Sequence, residues 1–91
     1  MSDGVERSVL IANKRGLHAR ASAKFVTLAS TQTAAVAVEK DGSRVAGTSI
    51  MGLMMLGAAM GDTVTVSATG EGAQGALDAL CGLIEDKFGE E

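Results

Sequence analysis

Apolar and polar positions alternate at the start of the chain. Val5, Arg7, Val9 and Ile11 share one side, which predicts a strand over residues 5–12. The segment Asn13 to Leu17 breaks that alternation, and Gly16 marks a turn. From Ala19 to about Ser30 the period lengthens. Ala21, Phe25, Leu28 and Ala29 recur at helical spacing while Arg20, Lys24, Thr27 and Thr31 occupy another face, the pattern of an amphipathic helix. Residues 34–40 alternate again, and Asp41-Gly42 is a hairpin signal before a strand at Arg44 to Ala46. Ser49 is a candidate N-cap for a short apolar segment from Ile50 to about Leu56. Gly61-Asp62 turns the chain into a strand at Thr63 to Ala68. A stripe of Ala73, Leu77, Leu80, Cys81, Ile84 and Phe88 then predicts a closing helix.

The order is therefore β-α-β-β-α-β-α, an α+β class. It predicts an open four-stranded antiparallel sheet with three helices on one face. The 91 residues, without repeat or linker, suit one domain spanning 1–91. With no Trp or Tyr and two Phe, the core must be filled by aliphatic side chains. Cys81 is alone and cannot form an internal disulfide. The longest apolar stretch, Ile50 to Met60, is broken by Gly52 and Gly57 and is too short for a bilayer, and the polar start does not read as a signal peptide. A cytoplasmic protein with no membrane partner is expected.

Charge distribution narrows the chemistry. The net charge of −3 argues against nucleic acid as a partner. No acidic residue falls between Glu6 and Glu39, whereas Lys14, Arg15, Arg20 and Lys24 do, and the C-terminus gathers Glu85, Asp86, Glu90 and Glu91. A local basic site thus surrounds His18, at the start of the first helix. The nearby sequence offers His18 no second metal ligand, so a metal site is disfavoured and no cofactor is implied. No carboxylate follows within twenty residues to orient the ring for Ser–His–Asp catalysis. A phosphoryl acceptor needs less. A histidine ring nitrogen is available near neutral pH, the helix start supplies unpaired N–H groups, and Arg20 can add a charge-assisted hydrogen bond. Spacing and composition leave two readings open: phosphoryl acceptor, or a plain surface or capping histidine.

A resemblance extends this reading. Gly16-Leu17-His18-Ala19-Arg20 resembles the phosphorylation-site motif of the HPr family, the histidine-containing phosphocarriers of the phosphoenolpyruvate-dependent phosphotransferase system. Thr48-Ser49-Ile50-Met51-Gly52-Leu53-Met54-Met55-Leu56 resembles its second motif, and the likeness continues through Val64 to Gly70. It implies an open-faced sandwich in which His18 is phosphorylated on Nδ1 by phosphorylated Enzyme I and passes the group to a IIA-type protein. Arg20 would stabilise the phosphate, and Ser49 would be a regulatory site for an HPr serine kinase. The chain would be a carrier, not an enzyme. Ala21 stands where the family usually has proline, which removes one source of pre-organisation. Asn13-Lys14-Arg15, with Ser67 to Gly70, resembles the nitrogen-related carriers as much as the sugar carriers.

The segment after Ser49 has too many apolar residues for one buried face of a short helix, so Ile50 and Met51 are expected at the surface beside His18. The partner-binding surface is expected to comprise Ala19, Arg20, Lys24, Ile50, Met51, Leu53 and Met54. The basic residues would steer acidic partners to it. One docking face used in turn implies a monomer.

Overall fold

A computed structural model describes residues 4–90. The elements are β1 (Val5–Leu10), α1 (Ala19–Ser30), β2 (Ala35–Lys40), β3 (Ser43–Ala46), α2 (Ile50–Met55), β4 (Thr63–Thr69) and α3 (Ala73–Glu85), followed by a single turn at Lys87–Gly89. The sheet order is β1-β4-β2-β3, with each neighbouring pair antiparallel. The three helices cover one face, as the element order predicts.

Two-residue alternation decides which side chains meet the helices. Val9, Val38, Val64 and Val66 point inward and are buried with Phe25, Leu53, Leu80 and Ile84. On the outer face Ser8 and Thr65 lie opposite each other, their hydroxyls 3.4 Å apart. Arg44 donates to Ser67 at 3.2 Å across the same surface. The hairpin signal is realised in full: Lys40 pairs with Ser43, and both Asp41 and Gly42 have positive φ, a turn that matches the twist of the strands. Alanines at Ala34, Ala68, Ala73 and Ala76 form a smaller cluster that lets α3 lie close to the sheet.

Three boundaries differ from the periodic pattern for local reasons. Ile11 is buried as expected but lies beyond the ladder of β1; its N–H donates to Asp62 and its carbonyl accepts from Gly61, both at 2.8 Å. Thr69 joins β4 by pairing with Ala35. The stripe of the last helix places Phe88 in the core, and Phe88 is buried, but the helix ends at Glu85. Lys87, Phe88 and Gly89 all take left-handed φ, between 56° and 71°, so the chain reverses there. Left-handed conformations are unfavourable for Lys and Phe. Burial of the Phe88 ring, about 1.5–3 kcal/mol, and a 2.7 Å hydrogen bond from Lys24 Nζ to the Phe88 carbonyl offset that strain. The reversal sends residue 90 back toward the start of α1.

Candidate functional site

The loop from Asn13 to Leu17 delivers His18 to the N-terminus of α1, and glycine is required within it. Gly16 has φ +61°, and a Cβ there would fall 2.2 Å from the Ala58 carbonyl oxygen. The same carbonyl accepts from Leu17 N–H at 3.0 Å, so the histidine loop is fastened to the segment that follows α2. Ser22 fixes the loop from the helix side by donating to the Leu17 carbonyl at 3.2 Å. Ala21 is buried in the first turn, and His18 caps α1.

The two ring nitrogens of His18 have different partners. Nδ1 accepts the Arg20 backbone N–H at 3.3 Å, the N-cap bond of α1. Nε2 lies 2.5 Å from Glu90 Oε2. A carboxylate can only accept, so the proton belongs on Nε2 and the lone pair on Nδ1. Asn13 completes the clip. Its buried side-chain amide donates to the Gly16 carbonyl at 2.8 Å and to Glu90 Oε1 at 3.1 Å. Each carboxylate oxygen of Glu90 thus serves one donor. The bond from His18, assisted by Asn13, holds the Glu90 carboxyl below the usual glutamate range.

Around this pair lies an open cavity of about 320 Å³, lined by Lys14, Arg15, His18, Arg20, Lys24, Gly89 and Glu90. Four of those side chains are cationic, and the mouth of α1 adds N–H groups and the positive end of its dipole. The site suits an oxyanion carried on Nδ1.

Several residues are placed differently from the sequence-based expectation. The imidazole is not openly displayed: Glu90 covers it, and the side chain retains 16% exposure. Arg20 reaches His18 through its backbone N–H rather than its guanidinium. That guanidinium is exposed, with no partner among the described residues. Lys24 lies on the cavity wall but spends its ammonium on the Phe88 carbonyl, tying down the C-terminal turn. Ala19, Ile50, Met51 and Met54 are exposed. Leu53 is not. It is 0% exposed and packs in the core, because it is the inward-facing position of α2, so its assignment to the partner surface is corrected. Met55, at 80% exposure, is the more open residue on that helix. Ser49 is half-buried at the N-cap of α2, accepting from Gly52 N–H at 2.9 Å.

Glu90 is the residue that sequence reasoning missed. The carboxylate absent from the neighbourhood of His18 in sequence arrives from the far end of the chain. Its one signal was the acidic C-terminus set against the basic first helix. This pair does not make a hydrolytic triad, since Nδ1 meets a backbone N–H where a triad would present a hydroxyl or thiol. Among the described residues no group of three or more His, Cys, Asp or Glu could hold a metal ion, and no helix is long and apolar enough to cross a membrane.

Residues 5–86 match the family described as the PTS HPr component phosphorylation site. The chain belongs to the HPr family. It is 48% identical over 86 residues to the phosphocarrier protein HPr of Cupriavidus necator, covering 94% of this chain and 97% of that one. It is 43% identical over 86 residues to the phosphocarrier protein NPr of Shewanella violacea, covering 94% of each. The crystal structure of HPr-C-His from Thermoanaerobacter tengcongensis superposes with a TM-score of 0.91 at 48% identity, over 96% of this chain and 98% of that one. The β-α-β-β-α-β-α sandwich is thus the HPr fold, and the chain is a phosphocarrier-family member of the phosphotransferase system.

Proposed function

We propose that this HPr-family protein accepts a phosphoryl group from phosphorylated Enzyme I on His18 Nδ1 and passes it to a histidine of a IIA-type protein. The observation that carries the reading is the division of labour on the ring: Nε2–H is held by Glu90, and the Nδ1 lone pair faces the mouth of α1.

The chemistry follows from that division. The Nδ1 lone pair attacks phosphorus in line, the bond from phosphorus to the donor atom of Enzyme I breaks, and that atom departs with the electron pair. The Nδ1 lone pair has only a 3.3 Å hydrogen bond to relinquish. The released Arg20 N–H, the exposed Arg20 guanidinium and the neighbouring cations then face the phosphoryl oxygens. Nε2 keeps its proton, so the ring gains positive charge, and Glu90 stabilises it beside the new dianion. Because the phosphoryl group sits on a cationic ring at an open site, it leaves as readily as it arrived. The protein is a carrier and needs neither metal nor cofactor for this step.

The exposed Ile50, Met51 and Met54, with Ala19 and the basic rim, form the docking face in this reading. Ser49 is a regulatory site for a serine kinase of the HPr type. A phosphate there is accommodated by the helix N-terminus but sets negative charge against the face that recruits acidic partners. A monomer in the cytoplasm fits a single docking face. A second reading places the protein in the nitrogen-related branch, acting mainly through regulatory partner binding. It is supported by the NPr relative and the Asn13-Lys14-Arg15 lead into the motif.

The test is incubation with phosphoenolpyruvate and Enzyme I. One phosphate should be gained that is lost in acid and survives alkali, and His18→Ala should abolish it with the fold intact by circular dichroism. Acid-stable phosphate that disappears in Ser49→Ala would instead favour the regulatory reading.

A further inference from the structure

Methionine is among the residues most often buried in folded proteins, and here the described methionines are all outside. Met51 is 68% exposed, Met54 41%, Met55 80% and Met60 58%. Three of them lie on α2, whose attachment to the core runs through Leu53 and, at its C-cap, Leu56. The fourth sits in the segment after α2, which hydrogen-bonds the histidine loop through the Ala58 carbonyl and abuts Gly16. The segment that carries Met60 and the His18 loop are therefore joined by direct backbone contact.

The chain offers an oxidant little else. It has no Trp or Tyr, and its single thiol, Cys81, is fully buried on the inner face of α3. Burial also pushes that thiol's pKa up, away from the reactive thiolate. Thioether sulfur is thus the accessible soft nucleophile among the described residues, and three of the four exposed methionines lie on the one short helix α2.

We propose that Met51, Met54 and Met55 are a reversible oxidation site, at which hydroperoxides convert the docking face from apolar to polar and stop phosphoryl transfer without unfolding the protein. The consequence for transfer rests on the relay reading above. In the modifying step a methionine sulfur lone pair attacks one peroxide oxygen. The O–O bond breaks, and the thioether is oxidised by two electrons to the sulfoxide while the hydroperoxide is reduced to an alcohol, or to water from hydrogen peroxide. In the reverse step a methionine sulfoxide reductase uses two thiols, giving methionine, a disulfide and water. The fold survives because the oxidised side chains face solvent while Leu53 and Leu56 keep α2 seated. Docking does not survive, because each sulfoxide must be desolvated against an apolar partner surface.

The experiment treats the 91-residue protein with graded hydrogen peroxide. It reads oxidation of each methionine by peptide mass spectrometry, the fold by circular dichroism, and charging by phosphorylated Enzyme I in the same samples. The expected result is oxidation on α2 at peroxide doses that oxidise free methionine, an unchanged spectrum, and charging slowed by about tenfold or more. Methionine sulfoxide reductase should restore the rate. A variant with Met51→Leu, Met54→Leu and Met55→Leu should show a treated-to-untreated rate ratio near one, whatever its starting rate. Equal charging of oxidised and untreated protein, loss that accompanies unfolding, or loss that persists in the triple variant would overturn the switch. An untreated protein that takes up no phosphoryl group would overturn the relay reading itself, and the switch with it.

Discussion

Two helix N-termini in this protein are capped by side chains that can carry phosphate, and their surroundings make them opposites. At α1 the cap is His18 Nδ1, which holds the Arg20 N–H at 3.3 Å. At α2 the cap is Ser49 Oγ, which holds the Gly52 N–H at 2.9 Å. The first bond is long, lies beside a cationic cavity, and belongs to a ring whose other nitrogen is fixed by a carboxylate. The second is short, half-buried, and followed by methionines rather than cations. A loosely used lone pair on nitrogen suits a group that is passed on, since an N–P bond on a cationic ring has a good leaving group. An alcohol oxygen in a firm cap suits a stable ester, put on and taken off only by dedicated enzymes. In the proposed relay the same local device would serve transfer at one end and structure or regulation at the other.

Variants that exchange the properties of the two caps put this contrast at risk. The largest effect is expected at Glu90→Gln. The amide oxygen can satisfy His18 or Asn13 but not both, and the charge that balances the phosphorylated ring is gone, so charging of His18 should slow by about tenfold or more. An unchanged stopped-flow rate would show that the ring needs no carboxylate. Ser49→Asp places negative charge beside the docking face without touching the histidine. Charging should slow several-fold, most visibly at low salt, and a rate independent of both substitution and salt would remove electrostatics from the regulatory account. Ser49→Ala removes only the cap and should cost about 1 kcal/mol of stability, read as a lowered midpoint in urea, with charging little changed. The mildest perturbation is acid. The Glu90 carboxyl lies below its ordinary value when folded, so its contact contributes stability above about pH 4.3 and loses it as pH falls through the lower folded value. Amide shifts of Phe88 and Gly89 should follow that titration, and shifts that stay flat would show the C-terminal turn to be held by Phe88 and Lys24 alone.

Much of this architecture is legible in the sequence, because neighbouring residues determine it. Asp41-Gly42 specifies its turn through backbone preference, and Val64 and Val66 specify a strand face through spacing. The motif around His18 reads correctly as a helix start, since the cap and first turn are local. What the sequence hides depends on contacts across the chain. The spacing of Phe88 fits the apolar stripe of α3, yet only the packed structure shows its backbone left-handed and reversed. Glu90 has no local signature, because its partners His18 and Asn13 are 72 and 77 residues away. On α2, composition says that some apolar residues must be outside. The seating of Leu53 under the helix decides which, and so separates it from Met55.

The proposed transfer depends on Nδ1, and not Nε2, taking the phosphoryl group. Uniformly 15N-labelled protein charged by Enzyme I and phosphoenolpyruvate can be examined in alkali by long-range 1H–15N and 31P correlation. Phosphorus coupled to Nδ1 of His18, with no coupling to Nε2, is the expected result. Phosphorus coupled to Nε2 would contradict it, because the Glu90 contact would then be blocking the acceptor nitrogen instead of fixing the ring that presents it.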